Sequence, residues 1–128
     1  MKNSFLLLLL FALFTFTNFT CKKVVTANGC YKGRLEVKGI CMNYTIKVLK
    51  GDIDPQLIEA DWKDENTGKE HQNVFALGSA CTFPESIKEG DEFYFTIDNA
   101  LQDCAVCKAY YPTPQKKLSI SIKAGPCN

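Results

Sequence analysis

Cys104-Ala105-Val106-Cys107 has the spacing of a dithiol redox motif, the first place to look for chemistry in this chain. A thiol oxidoreductase sets such a pair at a helix start after a strand, which lowers the pKa of the first thiol. The surrounding residues alternate as strands do and supply no strand–helix–strand context, so structural disulfides are the expectation. A zinc site drawn from Cys81, Cys104, Cys107 and Cys127 would hold only one short-spaced pair, where structural sites bring two pairs or add histidines. The sole histidine, His71, lies in a polar strand-like arm and reads as an exposed strand residue. Calcium fares no better. Asp52 and Asp54 begin like a calcium-binding loop, but Leu57 stands where glycine is needed and Lys63 where the bidentate glutamate belongs. Asp64, Asn66 and Gly68 fail in the same way. Paired carboxylates for glycoside hydrolysis need two acids to meet, yet a chain this short leaves little room for a hydrolytic cleft.

The aromatic residues offer binding rather than catalysis. Tyr110-Tyr111-Pro112 and Tyr94 would make a platform for stacking on sugars or a peptide. The plainer reading is that one tyrosine of each neighbouring pair packs inward. Asn43-Tyr44-Thr45 fits an N-glycosylation acceptor and lies near an expected turn. No catalytic residue, metal or cofactor is expected.

The N-terminus gives a destination. Lys2 precedes an unbroken apolar run from Phe5 to Phe14, followed by polar residues, which is the pattern of a secretory signal peptide over residues 1–20. A membrane-spanning helix needs about 20 apolar residues, roughly twice this run. Cys21, directly after it, resembles the acceptor cysteine of bacterial lipoproteins, and Lys22-Lys23 is similar to their tethers. That resemblance implies a lipid on Cys21, a tether over 21–29 and a domain over 30–128. The competing route is cleavage after Val25-Thr26-Ala27, with no lipid. Seven cysteines is an odd count for an exported chain. Setting Cys21 aside leaves an even set, Cys30, Cys41, Cys81, Cys104, Cys107 and Cys127, which reads as a disulfide framework in an oxidising compartment.

The formal net charge is +1, and losing Lys2 makes the exported part neutral. Neither nucleic acid nor electrostatic membrane attraction follows from that total. The distribution is uneven, because every acid except Glu36 lies between Asp52 and Asp103, opposed there only by Lys63, Lys69 and Lys88.

The elements are short. Tyr31, Gly33, Leu35 and Val37 alternate with Lys32, Arg34, Glu36 and Lys38, which makes a strand with one buried face. Tyr44, Ile46 and Val48 against Thr45 and Lys47 make a second. Asp54-Pro55 starts one helical turn, with aspartate as the cap. Ile58–Trp62 and Asn73–Leu77 form the arms of a hairpin turning through Asp64–Gly68. Phe93, Phe95 and Ile97 point inward from a further strand, and Leu118, Ile120 and Ile122 mark the last one. The fold class is mostly β: a small disulfide-stapled barrel of the oligonucleotide/oligosaccharide-binding (OB-like) type, or a sandwich, with at most one or two short helices. In such a barrel the first, second and last strands lie together. Lys32, Arg34, Lys38, Lys47, Lys117 and Lys123 then make one basic face, or else spread around the barrel and cancel locally.

The cysteine layout over residues 30–127 is similar to that of netrin-like domains, including the tissue inhibitors of metalloproteinases, which use that barrel. The similarity implies that Cys41 pairs with Cys127, and Cys30 with Cys104 or Cys107. Their inhibitory Cys-x-Cys start has no counterpart here, so inhibition is not implied. As a whole the chain resembles the small uncharacterised lipoproteins of bacteria. The expectation is a non-enzymatic, exported envelope or surface lipoprotein, held to the membrane through Cys21 and binding a protein or glycan partner. The alternatives are a secreted netrin-like inhibitor-type protein and a small extracytoplasmic enzyme.

Overall fold

A computed structural model describes residues 29–99, 102 and 104–127. The signal segment, Cys21 and the tether up to residue 28 lie outside the described residues. β1 (Cys30–Lys38) buries Tyr31, Gly33, Leu35 and Val37 and turns Lys32, Arg34 and Glu36 outward, as its alternation requires. A 3-10 turn at Ile40–Met42 leads to β2 (Tyr44–Lys50), which pairs with β1. Asp54 caps a second 3-10 turn, Pro55–Leu57, by accepting the Gln56 N–H at 2.9 Å. β3 (Glu59–Lys63) and β4 (Glu70–Leu77) form the hairpin. At its turn Asp64 is buried, its carboxylate accepting the Asn66 N–H at 2.9 Å and the Thr67 hydroxyl at 2.8 Å. β5 (Glu92–Ile97) follows, then β6 (Lys117–Leu118) and β7 (Ile120–Lys123).

The strands make one sheet in the order β3-β4-β2-β1-β5-β7, with β6 pairing β4. Every pairing is antiparallel except β4 with β6. The core is aromatic. Phe75 and Phe95 are fully buried with ring centres 5.8 Å apart, and Tyr31, Phe93, Phe83 and Tyr44 continue the stack with neighbouring centres 5.4 to 6.1 Å apart.

Two expectations are corrected here. The single last strand is two, because the chain changes partners at Ser119. Before the break, the Lys116 and Leu118 carbonyls accept from Ala76 and Gly78 beside β4; at the break, the Ser119 carbonyl accepts from Asp98 after β5. Buried Ser79 patches the break. Its hydroxyl accepts the Ile120 N–H and donates to the Ile120 carbonyl, each at 2.8 Å. The approach is close enough that a Cβ on Gly78 would lie 2.8 Å from the Ser119 hydroxyl and 3.0 Å from the Leu118 carbonyl carbon. The sheet remains unclosed at this point. The second correction is Thr45, expected outside and in fact fully buried. The register of β1 and β2 shifts between Leu35 and Val37, which sets Thr45 opposite Val37 on one side and Ala76 on the other.

The six described cysteines form three bridges, Cys30–Cys127, Cys41–Cys107 and Cys81–Cys104, each loop enclosing the next. The pairing implied by the netrin-like similarity is therefore not the one present. Strand neighbours decide the matter. β1 is joined through β5 to β7, so the chain leaving β7 bends back at Ala124-Gly125 beside Cys30, and Cys127 is out of reach of Cys41 beyond the other end of β1.

Replacing Ser79 by alanine orphans a buried N–H and a buried carbonyl of Ile120. The expected loss is about 1–3 kcal/mol per group, read by denaturant unfolding with the disulfides intact. A loss below about 0.5 kcal/mol, the size of an ordinary surface change, would contradict the role given to Ser79.

Candidate functional site

The irregular stretch 104–116 is held in place at several points. Cys104 is bridged to Cys81 and Cys107 to Cys41. The Asn43 side-chain amide donates to the Ala109 carbonyl at 3.1 Å and to the Ile40 carbonyl at 2.9 Å. The Tyr111 ring lies over Gly39, where a Cβ would come within 2.6 Å of it. Pro112 and Pro114 are buried, and the Glu59 carboxylate accepts the backbone N–H groups of Gln115 and Lys116 just before β6. Such anchoring leaves the stretch little freedom despite its lack of regular structure.

Its outward side chains include apolar ones, set beside exposed Lys108. Tyr110 is 80% exposed and Val106 43%, and Ile40 on the other side of the Cys41–Cys107 bridge is 58% exposed. The Tyr110 hydroxyl donates to Glu65 at 3.3 Å, and the charge of Glu65 raises the phenol above its ordinary range. Cys41 and Met42 take positive φ values of 56° and 58°, a conformation costing roughly 1–2 kcal/mol per residue. The bridge and the Asn43 hydrogen bonds hold them there. Of the tyrosine pair, one packs against the sheet and the other faces solvent. The glycosylation acceptor is occupied in the fold: both Asn43 amide hydrogens are donated and Thr45 is buried.

Dithiol and zinc chemistry find no thiolates, since Cys104 and Cys107 are bridged to different partners and Cys81 and Cys127 are bridged too. His71 is a further correction, being 6% exposed rather than an exposed strand residue. Its Nδ1 lies 3.0 Å from Glu36 Oε1, and its ring sits 5.5 Å from that of Trp62. Arg34 donates to the other Glu36 oxygen through Nε at 2.8 Å and an Nη at 2.7 Å. Burial alone would raise the Glu36 carboxyl, but the hydrogen bonds from His71 and Arg34 outweigh it and hold it below the usual carboxylate range. A shallow cavity of about 280 Å³ adjoins this cluster, and no hydroxyl or thiol lines it. Glu36 carried a signal in the sequence, as the lone acid on a basic strand. Nothing in the sequence marked Ser79.

The six cations do not all share one face. Lys32, Arg34, Lys47 and Lys123 lie on the outward side of neighbouring strands. Lys38 instead turns back to donate to the Glu85 and Ile87 carbonyls, and Lys117 sits on β6 beside β4. Among the described residues, no group of His, Cys, Asp and Glu side chains is arranged to hold a metal ion. No family model matches the chain, and no curated protein or solved structure matches it.

Because the folded Glu36 carboxyl is more acidic than an unfolded glutamate, its stabilisation is complete above about pH 4.5 and fades as pH falls through the lower folded value. Glu36→Gln should cost roughly 1–3 kcal/mol near pH 7, and the gap from the unaltered protein should narrow toward about pH 3. Denaturant unfolding at the two pH values checks this. An equal gap at both would contradict the ionic role.

Proposed function

We propose that the chain is an exported, membrane-anchored binding module that presents the 104–116 stretch and Ile40 to a protein partner. One observation carries this reading: an irregular stretch is cross-linked twice, to the turn after β1 and to the loop after β4, while its Val106 and Tyr110 side chains face solvent. Long structureless segments in compact domains are usually functional. Ordering such a segment before binding lowers the entropic cost of association. Exposed valine and isoleucine beside a tyrosine suit a protein surface better than a sugar, which would want aromatic faces flanked by polar groups.

Three disulfides point to an extracytoplasmic protein, and among the described residues no helix is long and apolar enough to cross a membrane. The apolar run before Cys21 supports export, and the place of Cys21 supports a lipid anchor. The tether enters the domain at Cys30, whereas the presented surface lies beyond Lys38, the other end of β1. About 25 Å of strand separates the two ends, so an anchored domain would carry its binding surface away from the bilayer.

Mass spectrometry of the exported protein should show a lipid-modified Cys21 as its first residue; a chain starting at Asn28 without lipid removes the anchor. A photo-crosslinker at position 106 on intact cells should give one discrete protein adduct. Ile40→Ser with Tyr110→Ser should reduce it roughly tenfold or more while all three disulfides form. No adduct, or an adduct indifferent to those changes, would overturn the binding surface.

A further inference from the structure

A row of three lysines and one tyrosine crosses four strands near the tether end of the sheet. Lys50 on β2 faces Lys32 on β1, Lys32 faces Tyr94 on β5, and Tyr94 faces Lys123 on β7. Three strand spacings make the row about 14 Å long. All four residues point outward: Lys50 and Lys123 are exposed, and Lys32 and Tyr94 are half-buried. Arg34 and Lys47 form a second pair one pleat along.

The arrangement does nothing for the fold. Lys32 and Lys50 are directly opposed like charges, which destabilise a sheet. Glu92 answers only one member of the row, Lys32, whose ammonium it raises above its usual range. Among the described residues, neither Lys50 nor Lys123 is paired with a carboxylate. Of the other acids near this face, Glu36 is engaged by Arg34 and His71, and Asp98 accepts from the Ser121 hydroxyl.

We propose that the Lys50–Lys32–Tyr94–Lys123 strip docks the domain against an anionic lipid surface. This rests on the anchored reading above and adds to it a second contact with the membrane. Two observations select lipid as the partner. The strip lies two residues, about 7 Å, from Cys30 along β1. The nine residues back from Cys30 to Cys21 reach at most about 30 Å, so an anchored chain keeps the strip within reach of headgroups, with Lys22 and Lys23 adding the same charge along the way. The charges are complementary to anionic headgroups, and a tyrosine set among lysines suits the headgroup level, where amphipathic rings collect. Tethering turns even a weak electrostatic contact into an effective one, because the local concentration of lipid is high. The contact would hold the Cys30 end toward the bilayer and leave the Cys41–Cys107 end free for its partner.

The test uses the chain from residue 21 onward carrying Cys21→Ser, so that no anchor contributes, with its three disulfides verified by mass. Vesicles of one-third phosphatidylglycerol are compared with pure phosphatidylcholine by sedimentation. Binding should appear only with the anionic lipid and should fall steeply between about 20 and 150 mM salt. Lys50→Glu with Lys123→Glu should weaken it by roughly fivefold or more per site, while Lys63→Glu with Lys88→Glu, away from the strip, should leave it unchanged. Equal binding to both vesicle types, or no response to the strip changes, overturns the proposal. Stronger retention on a soluble sulfated polysaccharide than on the vesicles also overturns it, in favour of a polyanion in solution. An unlipidated mature N-terminus would remove the anchored reading alone and is seen in a separate measurement.

Discussion

A sheet of short strands ordinarily stays together through its ladders and its core, but here the C-terminal part of the chain has little of either. Among the described residues between β5 and β7 the only regular element is β6, two residues long. Much of what holds this part is covalent. Cys81–Cys104 and Cys41–Cys107 fix the start of the irregular stretch, and Cys30–Cys127 fixes the end of the chain to the start of β1. Their sequence separations of 97, 66 and 23 residues correspond to about 3–5 kcal/mol each in the chain-entropy picture. Net stabilities of domains this size are only about 5–15 kcal/mol, so reduction would remove much of what keeps the fold.

The other features follow from that cross-linking. Once Cys107 is joined to Cys41, the turn after β1 can hold two residues in the left-handed region, and Asn43 can bridge both sides of the bond. Once the returning chain is fixed, it must pass from β4 to β5 within one residue. Ser79 and Gly78 answer that demand, one with a hydroxyl that replaces ladder bonds and the other by having no side chain. The same restraint exposes Val106, because a chain bridged at both Cys104 and Cys107 cannot fold it under, and Tyr110 stands outward between Ala109, held by Asn43, and Tyr111, packed over Gly39.

Much of the architecture was legible as alternation. The inward faces of β1 and β5, the aspartate-capped turn at Pro55 and the hairpin through Asp64 all follow from local pattern, since local backbone preference and burial agree there. Pattern fails where an irregularity changes the face of a residue. The register shift beyond Leu35 buries Thr45, and Asn73, at a φ of 55°, interrupts β4 just after His71. His71 also needed a partner from a distant strand, Glu36, which no periodicity announces. Disulfide pairing was the least legible feature. Spacing along the chain is compatible with many connectivities, and only the order of strands in space selects one. The exposed surface at Ile40, Val106 and Tyr110 depends on that selection and was hidden with it.

The fold therefore rests on a connectivity. It is tested most directly by proteolysis of the exported protein without reductant, followed by mass spectrometry of the linked peptides. Three linkages are expected, joining Cys30 to Cys127, Cys41 to Cys107 and Cys81 to Cys104, with no free thiol among the six. A Cys104–Cys107 bridge, a Cys41–Cys127 bridge, or a pair of free thiols within this set would contradict it.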